Sequence, residues 1–146
     1  MSYWDTSAIL KLYVAEPDST YFLELLASMP GPILCSAITT AEVLCALHRK
    51  EQAGKVRAGG ARAIFRRFAA DCNSGRIVTI PYGLDVLAQA EKLARLAYAR
   101  PRPVMVRTLD LIHVASAMAG RVSVLVATDT RLRELGYAQD KERRGR

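Results

Sequence analysis

Ser2-Tyr3-Trp4-Asp5-Thr6-Ser7-Ala8-Ile9-Leu10-Lys11-Leu12-Tyr13-Val14 decides the fold. Its first three residues suit a short strand, and an acid closes that strand. Thr6 and Ser7 are good caps for the apolar helix that follows, Ala8 to Val14. The same order returns near the other end of the chain. Val122-Ser123-Val124-Leu125-Val126 reads as the clearest buried strand, Asp129 follows almost at once, and a short helix from Arg131 to Leu135 ends at Gly136. A strand that runs into an acid and then a helix thus occurs near both ends of the chain.

The residues between continue that alternation. The spacing of Phe22, Leu25 and Leu26 predicts a helix from Ser19 to Ser28, stopped by Pro30-Gly31-Pro32. Ile33 to Ser36 is a short buried strand. Thr39-Thr40-Ala41-Glu42 has the pattern of a capping box and opens a helix through Leu47. Ala61 to Ala70 is amphipathic, Ile77 to Ile80 has strand composition, and Leu84 to Tyr98 is a helix. Pro101 and Pro103 mark a loop, and Thr108 opens a further helix to Met118. The fold class is therefore α/β, with a mostly parallel sheet flanked by helices in a single domain over residues 1–138; residues 139–146 form a basic polar tail.

The 146 residues suit one domain with its own core, and 51% hydrophobic against 24% charged residues excludes a disordered chain. No apolar run is long enough to span a membrane, and the N-terminus lacks the pattern of a secretory signal, so the cytoplasm is the expected compartment. Cys35, Cys45 and Cys72 match no zinc spacing; Cys35 and Cys45 sit in apolar segments and read as small hydrophobes. The net charge of +7 favours a polyanionic partner such as nucleic acid, although charge alone does not choose among polyanions.

Four acids stand in apolar or hydroxyl-rich surroundings: Asp5, Glu42, Asp110 and Asp129. In parallel sheets sites lie at the carboxyl ends of the strands, where Asp5 and Asp129 are expected. Converging carboxylates repel one another, and a hard divalent cation such as Mg²⁺ or Mn²⁺ removes that conflict. Each acid also has a purely structural reading. Asp5 and Asp110 suit helix dipoles, Glu42 completes a capping box, and Asp129 suits a strand-to-helix cap.

Taken in order, four stretches resemble the motifs of PIN-domain proteins, especially VapC-type toxins of toxin–antitoxin modules. They are Tyr3 to Tyr13, Thr39-Thr40-Ala41-Glu42-Val43, Arg107-Thr108-Leu109-Asp110-Leu111-Ile112-His113-Val114-Ala115, and Ala127-Thr128-Asp129-Thr130-Arg131-Leu132. The resemblance implies a PIN-like three-layer fold with a parallel sheet of four or five strands. It implies an Mg²⁺- or Mn²⁺-dependent endoribonuclease, a small antitoxin partner and a homodimer. Carried over, Asp5, Glu42, Asp110 and Asp129 become catalytic and metal-binding residues, with Asp5 and Asp110 as direct ligands. The family continues into a further short strand where this chain has Gly136-Tyr137-Ala138 and the tail, which leaves that sheet edge open.

Arg107 and Thr6 are candidate substrate contacts, and Thr6, Thr128 and Thr130 could aim the carboxylates. His113 shares a helix face with Asp110 and reads first as a hydrogen-bonded core histidine. Arg62, Arg66 and Arg67, with Arg100 and Arg102, form a candidate phosphate stripe, and Lys141, Arg143, Arg144 and Arg146 could add RNA affinity. Leu10, Tyr13, Phe22, Leu25 and Leu26 read mainly as core, with a groove for a partner helix as the alternative. Two other functions compete with the nuclease: a non-catalytic PIN-like module that binds RNA or protein, and a metal-dependent phosphatase. Asp5-Thr6-Ser7 lacks the second aspartate that a phospho-aspartate enzyme of the haloacid dehalogenase type would want.

Overall fold

The computed structural model describes residues 1–99, 105–130 and 132–136. Among the described residues the elements run in the order β1 (Ser2–Trp4), α1 (Thr6–Leu10), α2 (Ser19–Ser28), β2 (Ile33–Ser36), α3 (Thr39–Gln52), α4 (Gly60–Asn73), β3 (Ile77–Ile80), α5 (Leu84–Tyr98), α6 (Thr108–Ala119) and β4 (Val124–Val126). The strands form one sheet in the order β3-β2-β1-β4, and each neighbouring pair is parallel. β1 is thus a central strand, and its last residue, Trp4, pairs with Val126.

The period-two alternation of a strand divides the sheet into two faces. Trp4, Ile33, Cys35, Ile77 and Val126 point to one face and pack with Ile9, Phe22, Val43, Leu47 and Phe68. Tyr3, Leu34 and Leu125 point to the other, where α5 and α6 supply Val86, Leu93, Val114 and Ala117. Burial on both faces explains why β1 and β2 are apolar or small at every position. Glu16, just after α1, is bridged by Lys11 and Lys50; these two contacts hold its carboxyl down at about 2 and tie the α1 end to α3.

Several sequence expectations are corrected. α1 stops at Leu10, and Asp5, not Thr6 or Ser7, is its N-cap, accepting from the Ala8 backbone N–H at 2.7 Å. The capping box at Thr39 does not form: the α3 N-cap is Ile38, with no side-chain cap bond, because the Glu42 carboxylate has partners elsewhere. β4 is shorter than Val122–Val126 and is an edge strand among the described residues, so Val124 is exposed instead of buried. Cys45 is exposed on α3, while Cys35 is buried. Leu10 and Phe22 are buried, and Tyr13, Leu25 and Leu26 pack against the same core. Residues 130 and 132–136 are helical. Pro101, Pro103, Arg100, Arg102, Arg131, the further strand and the tail arginines lie outside the described residues. No helix among the described residues is long and apolar enough to cross a membrane.

Leu47 is fully buried and Leu44 is 39% exposed on the same helix. Leu47→Ala is expected to lower unfolding free energy by about 2–5 kcal/mol through lost contacts and a cavity. Leu44→Ala is expected to cost about 0.5 kcal/mol or less. Urea denaturation of the two variants measures the contrast.

Candidate functional site

An open cleft of about 710 Å³ runs along the carboxyl edge of the sheet, and Asp5, Glu42, Asp110 and Asp129 all line it. The fold explains the convergence. Asp5 follows β1, Asp129 follows the neighbouring strand β4, Glu42 stands in the first turn of α3, and Asp110 stands in the first turn of α6. Two neighbouring strand ends and two helix N-termini therefore bring their acids to one place, where helix dipoles also favour negative charge.

Asp5 is the most enclosed of the four. Its backbone N–H donates to Val126 O at 3.0 Å, which locks it beside β4. Ser7 Oγ donates to Asp5 Oδ1 and Oδ2 at 2.8 and 2.7 Å, and lies 2.5 Å from Thr128 Oγ1. With the Ser7 proton directed at the carboxylate, the Thr128 hydroxyl is the donor to Ser7. Burial pushes the Asp5 carboxyl above the usual aspartate range; the Ser7 and Ala8 donors and His113 oppose that rise, and Glu42 adds to it.

Glu42 has the opposite balance. Burial raises its pKa, but the hydrogen bonds from His113 and Thr6, with Arg49 nearby, outweigh burial and leave it below the usual glutamate range. His113 Nε2 lies 2.8 Å from Glu42 Oε2, and Thr6 Oγ1 donates to the same oxygen. Thr6, expected as a substrate contact, thus spends its hydroxyl on Glu42. Asp110 turns one carboxylate oxygen, Oδ2, away from solvent.

Arg107 lines the cleft as expected, and so does Arg49, which the sequence reading missed. The signal was present: Arg49 is seven residues after Glu42 on one helix, two turns along the same face. Ser7 was read only as a cap. The expected arginine stripe divides differently, because Arg67 lies over the Tyr13 ring at 5.8 Å and lines a separate cavity at the opposite edge of the sheet, beside Ile33 and Ile77.

The donor set, carboxylates and hydroxyls, fits a hard divalent cation better than a soft one. Burial disfavours an ionised Asp5, and a cation beside it would offset that cost. Among the described residues no three His, Cys, Asp or Glu side chains are already gathered into a metal-holding group. Glu42 is bonded to His113 and Thr6, and Asp5 to its own helix N-terminus, so a cation would meet carboxylates already fixed in direction.

The PIN domain family model matches residues 2–137. Ribonuclease VapC47 of Mycobacterium tuberculosis (strain CDC 1551 / Oshkosh) is 31% identical over 94% of this chain and 93% of its own length. Ribonuclease VapC46 of Mycobacterium tuberculosis (strain ATCC 25618 / H37Rv) is 33% identical over 90% of this chain and 87% of its own. VapBC2 from Rickettsia felis, solved bound to a DNA fragment from its promoter, has a chain that superposes with TM-score 0.67 at 18% identity, covering 92% of this chain and 93% of that one. A toxin–antitoxin complex from Klebsiella pneumoniae superposes with TM-score 0.59, also at 18% identity, over 89% of this chain and 88% of that one. At such identities the superpositions establish the fold.

The two pKa shifts have opposite consequences for stability. The raised carboxyl of Asp5 contributes most below its ordinary value of 3.8, and that contribution is lost as pH rises through the folded pKa. In metal-free protein Asp5→Asn is therefore expected to raise the melting temperature at neutral pH, with the gain shrinking toward pH 3.8. The lowered carboxyl of Glu42 contributes above its ordinary value of 4.5 and loses that contribution as pH falls through the folded pKa. Glu42→Gln is expected to lower the melting temperature at neutral pH, and the difference is expected to close in acid. Thermal melts with EDTA across pH measure both.

Proposed function

The chain belongs to the PIN-domain family, and from that premise we propose that it is a metal-dependent endoribonuclease, the toxin of a type II toxin–antitoxin module. The observation that carries the reading is the convergence of Asp5, Glu42, Asp110 and Asp129 on one cleft at the carboxyl edge of the sheet. The names of its two ribonuclease relatives, which align over most of the chain, support RNA as the substrate.

Asp5 and Asp110 would hold Mg²⁺ or Mn²⁺, with Glu42 and Asp129 completing the donor set. When bound, such an ion supplies charge neutralisation on the phosphodiester and a more acidic water. Ser7 and Thr128 fix the Asp5 carboxylate in orientation. Arg49 and Arg107 offer guanidinium groups to phosphate oxygens from the cleft walls. Water attacks the phosphorus in line and the 3′ oxygen departs, so the products carry a 5′-phosphate and a 3′-hydroxyl. The reaction needs no covalent intermediate, and no cysteine is asked to act as nucleophile.

A small antitoxin is the proposed inhibitor, on the strength of the toxin–antitoxin complexes that share the fold. A homodimer is the proposed assembly. The apolar side chains that α5 leaves in solvent support it, since Leu84 is 84% exposed and Leu87 and Tyr98 are also exposed. The cytoplasm is the proposed compartment, and three free cysteines are consistent with a reducing one.

Cleavage of total cellular RNA by the purified chain, with Mn²⁺ or Mg²⁺ and with EDTA, tests the activity. Discrete fragments are expected only with metal. Asp110→Asn is expected to reduce them by more than the roughly 10–100-fold that follows loss of a supporting hydrogen bond around a metal ligand. Fragments that survive both EDTA and the substitution would overturn the reading. For the assembly, light scattering is expected to show a dimer that Leu84→Glu converts to monomer without loss of secondary structure.

A further inference from the structure

His113 lines the cleft beside Glu42, and behind it a chain of buried polar groups runs into the sheet. His113 is 3% exposed and Tyr3, Ser36 and Ser116 are fully buried. Tyr3 Oη lies 2.7 Å from His113 Nδ1, and the two rings meet edge to face at 73°. Ser116 Oγ donates to Ser36 Oγ at 3.2 Å. The ionised Glu42 carboxylate can only accept, so Nε2 of His113 carries hydrogen in that contact, and in the neutral ring Nδ1 is then the acceptor for the Tyr3 hydroxyl. The hydrogen-bond pattern therefore assigns the histidine tautomer. Nδ1 accepts, the ring hydrogen sits on Nε2, and Nε2 donates to Glu42 Oε2 at 2.8 Å.

Thr6 Oγ1 donates to the same Oε2. Both donors end on one oxygen, which leaves Oε1 as the carboxylate oxygen available to the cleft that Glu42 lines. We propose that Tyr3 is a positioning residue, acting through the His113 tautomer to clamp Glu42 Oε2 so that Oε1 is presented to the cleft. The role rests on the nuclease reading for its consequence in catalysis, but the tautomer and the clamp stand on the hydrogen bonds alone. Other buried polar groups in the cleft wall serve α1; this one links β1, β2 and α6 to a single acid on α3. A phenylalanine at position 3 would fill the same space and leave Nδ1 without its donor, so the imidazole would be free to move its hydrogen to Nδ1 and release Glu42.

The test uses the full chain, first metal-free. Imidazole ¹⁵N chemical shifts of the wild type are expected to show His113 with its hydrogen on Nε2, and Tyr3→Phe is expected to populate the Nδ1–H form. Titration with Mn²⁺ is expected to show about tenfold weaker binding in Tyr3→Phe, the order of loss seen when a supporting partner of a ligand is removed. On RNA the same variant is expected to lose about tenfold in kcat with little change in KM. In a His113→Gln background the added effect of Tyr3→Phe is expected to fall to about twofold or less, since coupled residues are not additive. Circular dichroism and melting of each variant separate these effects from misfolding. A wild-type His113 carrying its hydrogen on Nδ1, or Mn²⁺ binding unchanged by Tyr3→Phe, overturns the proposal. The expected tautomer and Mn²⁺ effect in a chain that cuts no RNA would overturn the nuclease reading and leave the clamp standing.

Discussion

A carboxylate held almost out of water at the end of the central strand is the constraint on which the site depends. Asp5 is 4% exposed, and its backbone is locked to Val126 before α1 begins. An ionised group there costs stability unless donors or a counter-charge meet it. Ser7 and the Ala8 N–H supply part of that compensation and fix the carboxylate in direction at the same time. The remainder is left for whatever binds in the cleft. A site arranged this way is less stable empty than occupied, which is a common signature of a functional centre.

The second acid is prepared differently. Glu42 is partly shielded, yet its donors keep it ionised. These donors come from α1 through Thr6 and from α6 through His113, so the charge state and orientation of one side chain depend on three helices packing correctly around the sheet. The two carboxylates reach similar ends by opposite routes, one strained toward protonation and one held away from it.

Most of the architecture was legible in the residues. The bounds of α2, β2, β3 and α5 follow from apolar periodicity together with Pro30-Gly31-Pro32, Pro81 and the composition of short β-branched runs. The cleft was legible too, because acids after parallel strands must meet at the carboxyl edge. What the sequence could not disclose were partners distant along the chain. The capping box at Thr39 is a sound local pattern, but His113, 71 residues away, competes for Glu42 and wins. Tyr3 looked like one more apolar strand residue because nothing local marks its hydroxyl as bonded to a helix 110 residues later. The arginines of α4 were grouped by helix spacing alone, and spacing does not say that Arg67 lies at the opposite edge of the sheet from the acids. β4 read as buried because its residues are apolar; being last in the sheet order leaves one of its sides unpaired among the described residues.

The central claim is that these four acids form a binding site for a divalent cation. Crystals soaked in Mn²⁺ and measured near its absorption edge test this most directly. The account predicts an anomalous peak in the cleft, within coordination distance of Asp5 and Asp110, with Ser7 still bonded to the Asp5 carboxylate. A peak elsewhere, or none at Mn²⁺ concentrations that support RNA cleavage, would contradict it.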